Sequence, residues 1–415
     1  MSNLRMKNPT LPNDTFVPDG EVHVWADGRI YVYGSWDNVG EMDYCSDKYH
    51  VFSSSDMVNW QDHGVAFTTD QIKWTVSKHL YAPDCAYKDG VYYLYYCMPG
   101  GRCGVAKSTN PAGPFEDIGK IEGMDGIDPA VFIDDDGQGY IYWGQFDNVR
   151  VAKLKENMVE IEKDTVAQPL SVSEHEFHEG SSVKKINGKY YYLFCDTHRH
   201  GGRATCLGYA VSDNPMTGFK YIGIIIDNFG CDPETWNNHG SMVCFNGRWY
   251  IVYHRSTHGS KYSRHMCIEP ITINDDGTID EVIMTSSCGK EAMPANEILA
   301  TNRACGVSGN VRIAAEESSW HHLALCNINP GDTATFRYLK FDGETSVSAR
   351  LKSDGDLFID MFLDDTICGT ITSQKTDGYA FVSSDVKALS GDFTLTLKFR
   401  GDFTDATLDE FVFKN

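Results

Sequence analysis

A short phrase occurs five times between residues 27 and 254 of this 415-residue chain. Each copy begins with a glycine turn and continues as a run of aromatic and β-branched residues. The copies are DGRIYVYG, DGVYYLYY, DGQGYIYWG, NGKYYYLF and NGRWYIVYH, and their glycines at positions 28, 90, 137, 188 and 247 are 47 to 62 residues apart. This period is close to that of propeller blades, which have roughly 40–50 residues and four strands each. The repeat therefore predicts a ring of similar β-sheets.

The segments between the repeats are also typical of an all-β chain. DG and NG dipeptides favour tight hairpins because both turn residues adopt positive φ, so each phrase is predicted to join the first two strands of a blade. Segments such as SSSDMVNWQDHG and AVSDNPMTGFKYIG are expected to join the third strand to the fourth. We predict a five-bladed β-propeller over residues 1–300.

The repeat stops near residue 300, and the rest of the chain has a different pattern. Apolar and polar residues alternate in runs such as TATFRYLKF, SVSARLKS and FTLTLKF, and turns rich in Gly and Asp separate them. Alternation over several short strands predicts an antiparallel β-sandwich. We assign residues 306–415 to this second domain and residues 298–303 to the connector.

Charge and composition exclude several classes of function. A net charge of −22 is unsuited to nucleic acid or to an anionic membrane surface, because both attract basic proteins. The 13 cysteines form no CxxC pair and no Cys/His pattern of the kind that holds zinc. Free thiols, together with an N-terminal sequence that has no apolar leader segment, predict a cytoplasmic location.

One polar residue stands six to nine positions before the glycine of each repeat. These residues are Asp19, Asp84, Asp128, Glu179 and His239. Because the inner strands of a propeller surround one axis, residues at the same point of each blade converge at one end of the channel. Neighbouring carboxylates raise one another's pKa, which suits a general acid paired with a general base. Any single one of the five is more simply explained as a residue that starts a turn.

The motifs around these residues resemble those of glycoside hydrolase family 43, whose five-bladed propellers cleave arabinofuranosides and xylosides. VPDGEVHVWADGRIYVYGS, GIDPAVFIDDDGQGYIYWG and FHEGSSVKKINGKYYYLF are similar to the family's first-, third- and fourth-blade motifs. The resemblance implies that Asp19 is the general base and Glu179 the general acid. It implies that Asp128 orients the acid and raises its pKa. Asp14 and Glu21 are nearby alternatives for the base.

The resemblance extends to the other two blades. YAPDCAYKDGVYYLYY is similar to the second-blade motif, and a structural role is favoured for its Asp84. NNHGSMVCFNGRWYIVYH is similar to the fifth-blade motif, which implies that His239 lies beside a metal ion, usually calcium. SRHMCIEPI places Arg264 where the family has a substrate-contacting arginine. Trp74 and Trp143 are candidates for stacking on a sugar, with a place in the core as an equal alternative.

The family resemblance implies an inverting mechanism, in which the two carboxyl groups lie roughly 6.5–9.5 Å apart with a water molecule between them. We predict an exo-acting enzyme that releases terminal α-L-arabinofuranose from arabinoxylan-type oligosaccharides. β-D-xylosidase activity on xylo-oligosaccharides is the alternative. A sugar-binding propeller without catalysis is a more remote one, since it needs aromatic platforms but no carboxylates of unequal pKa.

Residues 306–415 resemble a family 6 carbohydrate-binding module, chiefly in NPGDTATFRYLKFDG and in the closing LKFRGDFTDATLDEFVFKN. The resemblance implies a second, structural calcium ion. Glu316 and Glu317 are its candidate ligands, although they are displaced from the usual position. The two alternatives for this domain are that it binds sugar or that it buttresses the propeller.

Overall fold

The computed structural model describes residues 5–289, 291–315 and 321–415. The first two blades are four-stranded antiparallel sheets. Blade 1 contains β1 (Glu21–Val24), β2 (Ile30–Tyr33), β3 (Lys48–Ser54) and β4 (Gln61–Thr68). Blade 2 contains β5 (Asp84–Lys88), β6 (Val91–Met98), β7 (Arg102–Ser108) and β8 (Glu116–Lys120).

The third and fifth blades have three strands each, and the fourth has four. Blade 3 contains β9 (Ala130–Ile133), β10 (Gly139–Trp143) and β11 (Arg150–Lys153). Blade 4 contains β12 (Phe177–Ile186), β13 (Lys189–Asp196), β14 (Cys206–Ser212) and β15 (Lys220–Asp227). Blade 5 contains β16 (Ser241–Phe245), β17 (Arg248–Thr257) and β18 (Ser260–Ile271). The helices described in the propeller are short, and they are α1 (Val172–His175) and 3-10 turns at Thr69–Gln71, Phe146–Asn148 and Lys163–Thr165.

The first strand of every blade lies at the centre of the ring. Strands β1, β5, β9, β12 and β16 contact one another in this order, and β16 returns to β1. Ser241 joins the two ends of the ring, because its Oγ accepts a hydrogen bond from Val22 N–H (3.1 Å) and donates one to the Gly20 carbonyl (2.9 Å). This arrangement confirms the predicted five-bladed propeller.

The glycine turns of the repeats are of two kinds. Asp89–Gly90, Asn187–Gly188 and Asn246–Gly247 are two-residue loops in which both residues have positive φ, as the DG and NG steps predict. In the turns at Gly28 and Gly137, only the glycine has positive φ. These two loops are longer, because five residues separate the paired strands of each hairpin instead of two.

The C-terminal domain is a sandwich of two six-stranded sheets. Its strands are β19 (Met293–Pro294), β20 (Leu299–Ala300), β21 (Gly306–Ser308), β22 (Arg312–Ala315), β23 (Leu323–Ile328), β24 (Thr333–Asp342), β25 (Ser346–Ser353), β26 (Asp356–Leu363), β27 (Thr366–Ser373), β28 (Ala380–Asp385), β29 (Ser390–Asp402) and β30 (Ala406–Lys414). One sheet has the order β19-β24-β29-β26-β27 with β21 beside β24. The other has the order β22-β23-β30-β25-β28 with β20 beside β30.

The sandwich begins earlier in the chain than predicted. β19 pairs with β24, and β20 pairs with β30, so residues 293–300 belong to the sandwich and not to the propeller. The predicted connector, 298–303, consists of β20 and a 3-10 turn at Thr301–Arg303. Strands of two residues carry no alternation signal, which explains the misplaced boundary. Glu316 and Glu317, the predicted ligands of a second calcium ion, lie outside the described residues.

The sandwich packs directly on the propeller. Val307 N–H donates to the Gly230 carbonyl (2.8 Å), and His258 N–H donates to the Ile313 carbonyl (2.8 Å). The interior of the sandwich is one continuous apolar cluster, whereas the propeller cores lie between neighbouring blades. No helix in residues 5–289, 291–315 or 321–415 has the length and apolar character needed to span a membrane.

Candidate active site

A cavity of about 490 Å³ lies among the inner strands and their preceding loops. The predicted residues that line it are Asp19, Asp128, Glu179, His239 and Arg264. They come from blades 1, 3, 4 and 5, and no two blades could supply them alone. The structure therefore brings together five residues that are up to 245 positions apart in the chain.

Asp19 stands two residues before β1 in a left-handed backbone conformation, with φ of 59°. This conformation is uncommon outside glycine and is often found at functional sites. His254 Nδ1 accepts a weak hydrogen bond from Asp19 N–H (3.5 Å), and His254 Nε2 lies 3.1 Å from the Asn237 carbonyl. Burial, aided by the Arg264 charge, lowers the pKa of His254 to about 3. A neutral imidazole with its proton on Nε2 thus helps to hold the backbone of Asp19.

The carboxylate of Asp19 is held in its ionised form. Arg264 Nη1 donates to Oδ1 (2.8 Å), and Ser35 Oγ donates to Oδ2 (2.7 Å). Burial alone would raise the pKa of Asp19, but the Arg264 charge, with smaller contributions from His239, His254 and Ser35, lowers it below the ordinary value. An ionised carboxylate at the edge of a cavity is suited to accept a proton.

Arg264 is only 2% exposed, and its guanidinium donates to two carboxylates and, more weakly, to Cys45 Sγ (3.5 Å). Besides Asp19, its guanidinium binds Asp37 through two bonds, Nε to Oδ2 (2.9 Å) and Nη2 to Oδ1 (2.8 Å). Arg264 also lines the cavity, and its contact with substrate stays a prediction. Its hydrogen bonds give it a further role, which is to position Asp19 and stabilise its charge. Sequence reasoning missed Asp37, although it follows the first repeat directly in GSWD.

Asp128 differs from Asp19 in its partners. It has a φ of 56° and is 6% exposed, and its carboxyl oxygens make no hydrogen bond with the described residues. Burial raises its pKa well above the ordinary value, and the charges of Glu179, Cys97 and Asp19 raise it further. The predicted effect of Asp128 on Glu179 stays a prediction. The raised pKa of Asp128 itself follows from its burial, which no hydrogen-bond donor of the described residues offsets.

Glu179 lies near the start of β12, and hydrogen bonds fix both of its carboxyl oxygens. Gln145 Nε2 donates to Oε2 (2.5 Å), and Asn237 Nδ2 donates to Oε1 (3.3 Å). Neither amide was predicted. Both follow or lie within recognised motifs, however, since Gln145 comes directly after YIYWG and Asn237 begins NNHG. The carboxyl group of Glu179 is thus aimed into the cavity by side chains from blades 3 and 5.

Gly180 allows the residues around Glu179 to pack closely. It has a φ of +73°, and a Cβ at this position would lie 3.0 Å from Cδ2 of His239. The imidazole of His239 therefore packs against the backbone of β12, next to Glu179. Its Nδ1 is 3.8 Å from Asp19 Oδ1, so His239 lies between the two residues predicted to act as acid and base.

The structure does not place the predicted tryptophans on the cavity. Trp143 is 1% exposed and belongs to the core between blades 2 and 3. Trp143 lies directly behind Gly126, which lines the cavity. A Cβ added to Gly126 would be only 2.7 Å from Trp143 Cδ1. Trp74 packs near Tyr96, with ring centroids 6.4 Å apart. The core alternative holds for both, because aromatic residues fill the spaces between blades.

A tryptophan that was not predicted does line the cavity. Trp236 is 47% exposed and precedes the NNHG motif by one residue. Tyr44, Tyr81 and His178 complete the aromatic part of the wall. An exposed tryptophan next to a motif that supplies site residues is the signal that would have identified Trp236.

Asp84 and the alternative bases lie elsewhere. Asp84 binds His23 Nε2 (2.8 Å) and accepts a hydrogen bond from Val131 N–H (2.6 Å), which fits the structural role predicted for it.

Glu21, one of the alternative bases, pairs with Lys184 (3.3 Å). We call Glu21, His23, Asp84 and Lys184 the channel cluster. Asp14 pairs with His321 of the sandwich (2.8 Å), and neither Asp14 nor Glu21 is among the described residues that line the cavity.

The surroundings of His239 do not fit a calcium ion held by the protein. Calcium takes six to eight oxygen ligands, whereas His239 offers nitrogen and the nearby Asp19 oxygen is bound to Arg264. In the channel cluster, ligand atoms of Glu21, His23 and Asp84 lie within 4.8 Å of one another. There the Lys184 ammonium already supplies a positive charge. We therefore derive no catalytic step through a metal ion.

Comparison with known proteins gives consistent matches. The model of Glycosyl hydrolases family 43 matches residues 6–279. A xylosidase/arabinosidase of Thermoclostridium stercorarium is 30% identical over 414 residues, which cover 83% of this chain and 85% of that protein. A xylosidase/arabinosidase of Bacteroides ovatus is 32% identical over 327 residues, which cover 66% of this chain and 96% of that protein.

Solved structures match one or both domains. A family 43 β-xylosidase/α-arabinofuranosidase from a compost microbial metagenome, described as a calcium-free complex with xylotriose, is 31% identical with a TM-score of 0.59. The match covers 67% of this chain and 97% of that one. A family 43 arabinoxylan arabinofuranohydrolase from Bacillus subtilis, in complex with cellotetraose, is 24% identical with a TM-score of 0.58. It covers 100% of both chains, so the two-domain fold is shared.

Proposed function

The chain belongs to glycosyl hydrolases family 43, and we propose that it is an exo-acting, inverting enzyme that releases terminal α-L-arabinofuranose from arabinoxylan-type oligosaccharides. The observation that carries the proposal is the unequal treatment of carboxyl groups in one cavity. Arg264 and Ser35 stabilise the charge of Asp19, whereas the carboxyl group of Asp128 accepts no hydrogen bond from residues that the structure describes and has a raised pKa. Groups with such different environments divide into proton acceptors and proton donors.

In the proposed reaction, Glu179 donates a proton to the glycosidic oxygen as the bond from that oxygen to the anomeric carbon breaks. A water molecule attacks this carbon from the opposite face, and its proton passes to Asp19. The products are the free sugar with inverted configuration and the shortened oligosaccharide with a new hydroxyl group. Solvent then restores the proton to Glu179 and removes it from Asp19. A separation of roughly 6.5–9.5 Å between the two carboxyl groups stays a prediction of this mechanism.

Asp128 has a different part in the proposal. Burial raises its pKa and it lines the cavity, so in this proposal its protonated form donates an O–H hydrogen bond to a hydroxyl of the sugar and its other oxygen accepts one. Such hydrogen bonds to sugar hydroxyls strengthen in the transition state. Asp128 thus orients the sugar ring between Asp19 and Glu179.

β-D-xylosidase activity is the second candidate, because the relatives from T. stercorarium and B. ovatus are both named xylosidase/arabinosidase. Initial rates on 4-nitrophenyl α-L-arabinofuranoside and 4-nitrophenyl β-D-xylopyranoside separate the two. The proposal expects a higher kcat/KM on the arabinoside, and a higher value on the xyloside would replace it with the alternative.

Proton NMR of the first-formed sugar tests inversion, since a retained anomeric configuration would contradict the mechanism.

Calcium has no part in this proposal, because the donors near His239 do not fit it. Treatment with EDTA is therefore expected to leave kcat unchanged. A loss of kcat that added CaCl₂ restores would show that a calcium ion is needed.

The cytoplasmic location stays a prediction. It is tested by fractionating the source cells and measuring in which fraction the activity is found.

A further inference from the structure

A small cavity of about 230 Å³ lies where the N-terminal segment of the propeller meets the start of the sandwich. Its basic lining residues are Arg5, Lys7 and Arg303, and Glu297 is the acidic residue among the described residues that line it. Three cations and one carboxylate give these walls a formal charge of +2, although the whole chain carries −22. The cavity is therefore a local positive site on an acidic protein, and it shares no described lining residue with the active-site cavity.

The guanidinium of Arg303 has no counter-charge in the protein. Arg303 is half-buried, and burial alone lowers its pKa to about 10. Within residues 5–289, 291–315 and 321–415, no carboxylate forms an ion pair with Arg303, and no oxygen accepts a hydrogen bond from its guanidinium. Withdrawing a charge from water is costly unless the charge is paired and hydrogen-bonded. The five N–H donors of this side chain are therefore left for a group that the chain itself does not supply.

Lys7 and Arg5 bring further positive charge to the same cavity. Burial lowers the pKa of Lys7, and the charge of Arg303 lowers it further, which shows that the two cations repel each other. Arg5 Nη1 donates to the Ala292 carbonyl (3.1 Å), so its guanidinium is held beside the first strand of the sandwich. An anion among these side chains would replace repulsion with attraction.

Hydrogen bonds of the fold fix both walls of the cavity. On the propeller side, Asn8 directly follows the two cations of the N-terminal segment, and its Nδ2 donates to the Ile268 carbonyl of β18 (2.9 Å). On the sandwich side, Oγ1 of the first residue in the 3-10 turn Thr301–Arg303 donates to the Leu408 carbonyl of β30 (2.6 Å). The cations are thus presented by anchored backbone from two domains, and a ligand among them would bridge the propeller and the sandwich.

We propose that this cavity binds a small dianion of the phosphate class, either inorganic phosphate or the phosphate group of a small ester. Guanidinium groups bind phosphate oxygens through paired N–H···O bonds, and the formal charge of the walls matches a dianion. Met6, Val58, Met293 and Leu299 make part of the lining apolar, which strengthens charge attraction relative to an open surface. The volume is below the roughly 300–1,000 Å³ of sites for drug-sized ligands, which favours a small ligand.

Calorimetric titration of sodium phosphate into the full chain, at pH 8 and low ionic strength, tests the site. Wild type should bind phosphate, and Arg303→Met should bind it at least about tenfold more weakly. Arg303→Lys keeps the charge without the planar fork, so its affinity should be intermediate. No binding by wild type, or equal affinities in wild type and Arg303→Met, would overturn the proposal.

Lys387→Met is the matched control for the loss of one positive charge. Lys387 is an exposed residue of the sandwich and is not among the described residues that line the cavity. This variant should bind phosphate as wild type does. An equal loss of affinity in Lys387→Met and Arg303→Met would show that phosphate responds to net charge and not to this cavity.

Thermal unfolding separates a ligand site from a structural role of Arg303. A ligand that binds only the folded protein raises Tm, so phosphate should raise the Tm of wild type more than NaCl at equal ionic strength does. Arg303→Met should lose this difference. In phosphate-free buffer, its Tm should equal or exceed that of wild type, because the substitution removes an unpaired charge. A lower Tm there, or equal effects of phosphate and NaCl on wild type, would contradict the proposal.

Two further ligands identify the chemistry that the cavity recognises. Phenyl phosphate has a phosphate group on an apolar ring, so tighter binding than inorganic phosphate would assign the site to an ester, and weaker binding would assign it to inorganic phosphate. Acetate carries a single negative charge and should bind at least about tenfold more weakly than phosphate. Equal affinities for acetate and phosphate would show that the site does not select a dianion.

Discussion

The cavity carboxylates and the channel cluster are built from the same kinds of residue but differ in whether their carboxyl groups face an open cavity. Asp19 and Glu21 are two residues apart, and each contacts a basic side chain from another blade, Arg264 for Asp19 and Lys184 for Glu21. In the channel cluster, both oxygens of Asp84 are occupied by protein donors. In the cavity, the oxygens of Asp128 have no partner in the described part of the chain.

This difference shows that a raised pKa does not by itself identify a catalytic group. Burial raises the pKa of Glu21, and Asp84 raises it further against the opposing charge of Lys184. Burial likewise raises the pKa of Asp128. Only Asp128 faces a space that a substrate can enter. Perturbed carboxyl groups occur in structural ion networks as well as in active sites. Glu21 Oε1 is also buried without a hydrogen-bond partner among the described residues, so access to the cavity decides between the two groups.

The largest expected effect separates Asp19 from Glu21. Asp19→Asn removes the proton acceptor, so kcat on 4-nitrophenyl pentosides should fall by about 10²–10⁴-fold. Tm should also fall, because Arg264 loses one of its two buried carboxylate partners. Glu21→Gln makes the same carboxylate-to-amide change two residues away, and it should lower Tm while leaving kcat per folded molecule unchanged. Steady-state kinetics and thermal unfolding of the two variants provide the comparison. Equal losses of kcat would remove the distinction between cavity and channel cluster.

Arg264→Lys should alter the pH dependence of catalysis. Burial raises the pKa of Asp19 and the Arg264 guanidinium lowers it, so a shorter, differently placed charge leaves the pKa of Asp19 higher. The acidic limb of the kcat/KM profile should then move to higher pH. Loss of the fixed geometry should lower the maximum about tenfold. An acidic limb at the wild-type position would show that Arg264 does not control the ionisation of Asp19.

Lys184→Met should affect stability and not catalysis. It leaves Glu21 without its cation, which should cost about 2–3 kcal/mol, below the usual effect of breaking a buried pair because Lys184 is 19% exposed. The folded-state pKa of Glu21 is above its unfolded value, so its contribution to stability is present at low pH and is lost as pH rises through the raised pKa. Removing Lys184 raises that pKa further.

Denaturant unfolding of Lys184→Met at pH 5 and pH 8 checks this sign. The variant should lose more stability relative to wild type at pH 8, where an unpaired Glu21 must ionise, than at pH 5. The opposite order would show that Lys184 does not stabilise the charge of Glu21.

Gly180→Ala should have the smallest effect, about 1–2 kcal/mol of stability, but its effect on activity is informative. The new Cβ would press on His239 and displace the neighbouring Glu179. Gly188→Ala is the matched control, because Gly188 has a similar φ of +79° and no atom within 4 Å of the added Cβ. Both variants should lose stability, and only Gly180→Ala should lose kcat. Equal kcat in the two would show that the contact with His239 does not position Glu179.

The repeat made the ring and its central residues predictable, because residues at a similar point of each repeat lie at a similar point of each blade around the axis. Asp37, Gln145 and Asn237 could not be found in this way, since they occupy different points of their blades and meet the site only through the closed ring. Trp74 and Trp143 are candidates by residue type and by their place near recognised motifs, but the structure packs both against cores between blades. The two-residue strands β19 and β20 have no sequence signal, which moved the domain boundary.

Hydrolysis of two substrates by Glu179→Gln tests the division of roles in the cavity most directly. A 2,4-dinitrophenyl glycoside has a leaving group that departs without a proton, whereas an oligosaccharide needs one. If Glu179 is the general acid, kcat/KM should fall by at least about 10²-fold on the oligosaccharide, with a far smaller loss on the dinitrophenyl substrate. Equal losses on both substrates would contradict the assignment of Glu179 as the acid.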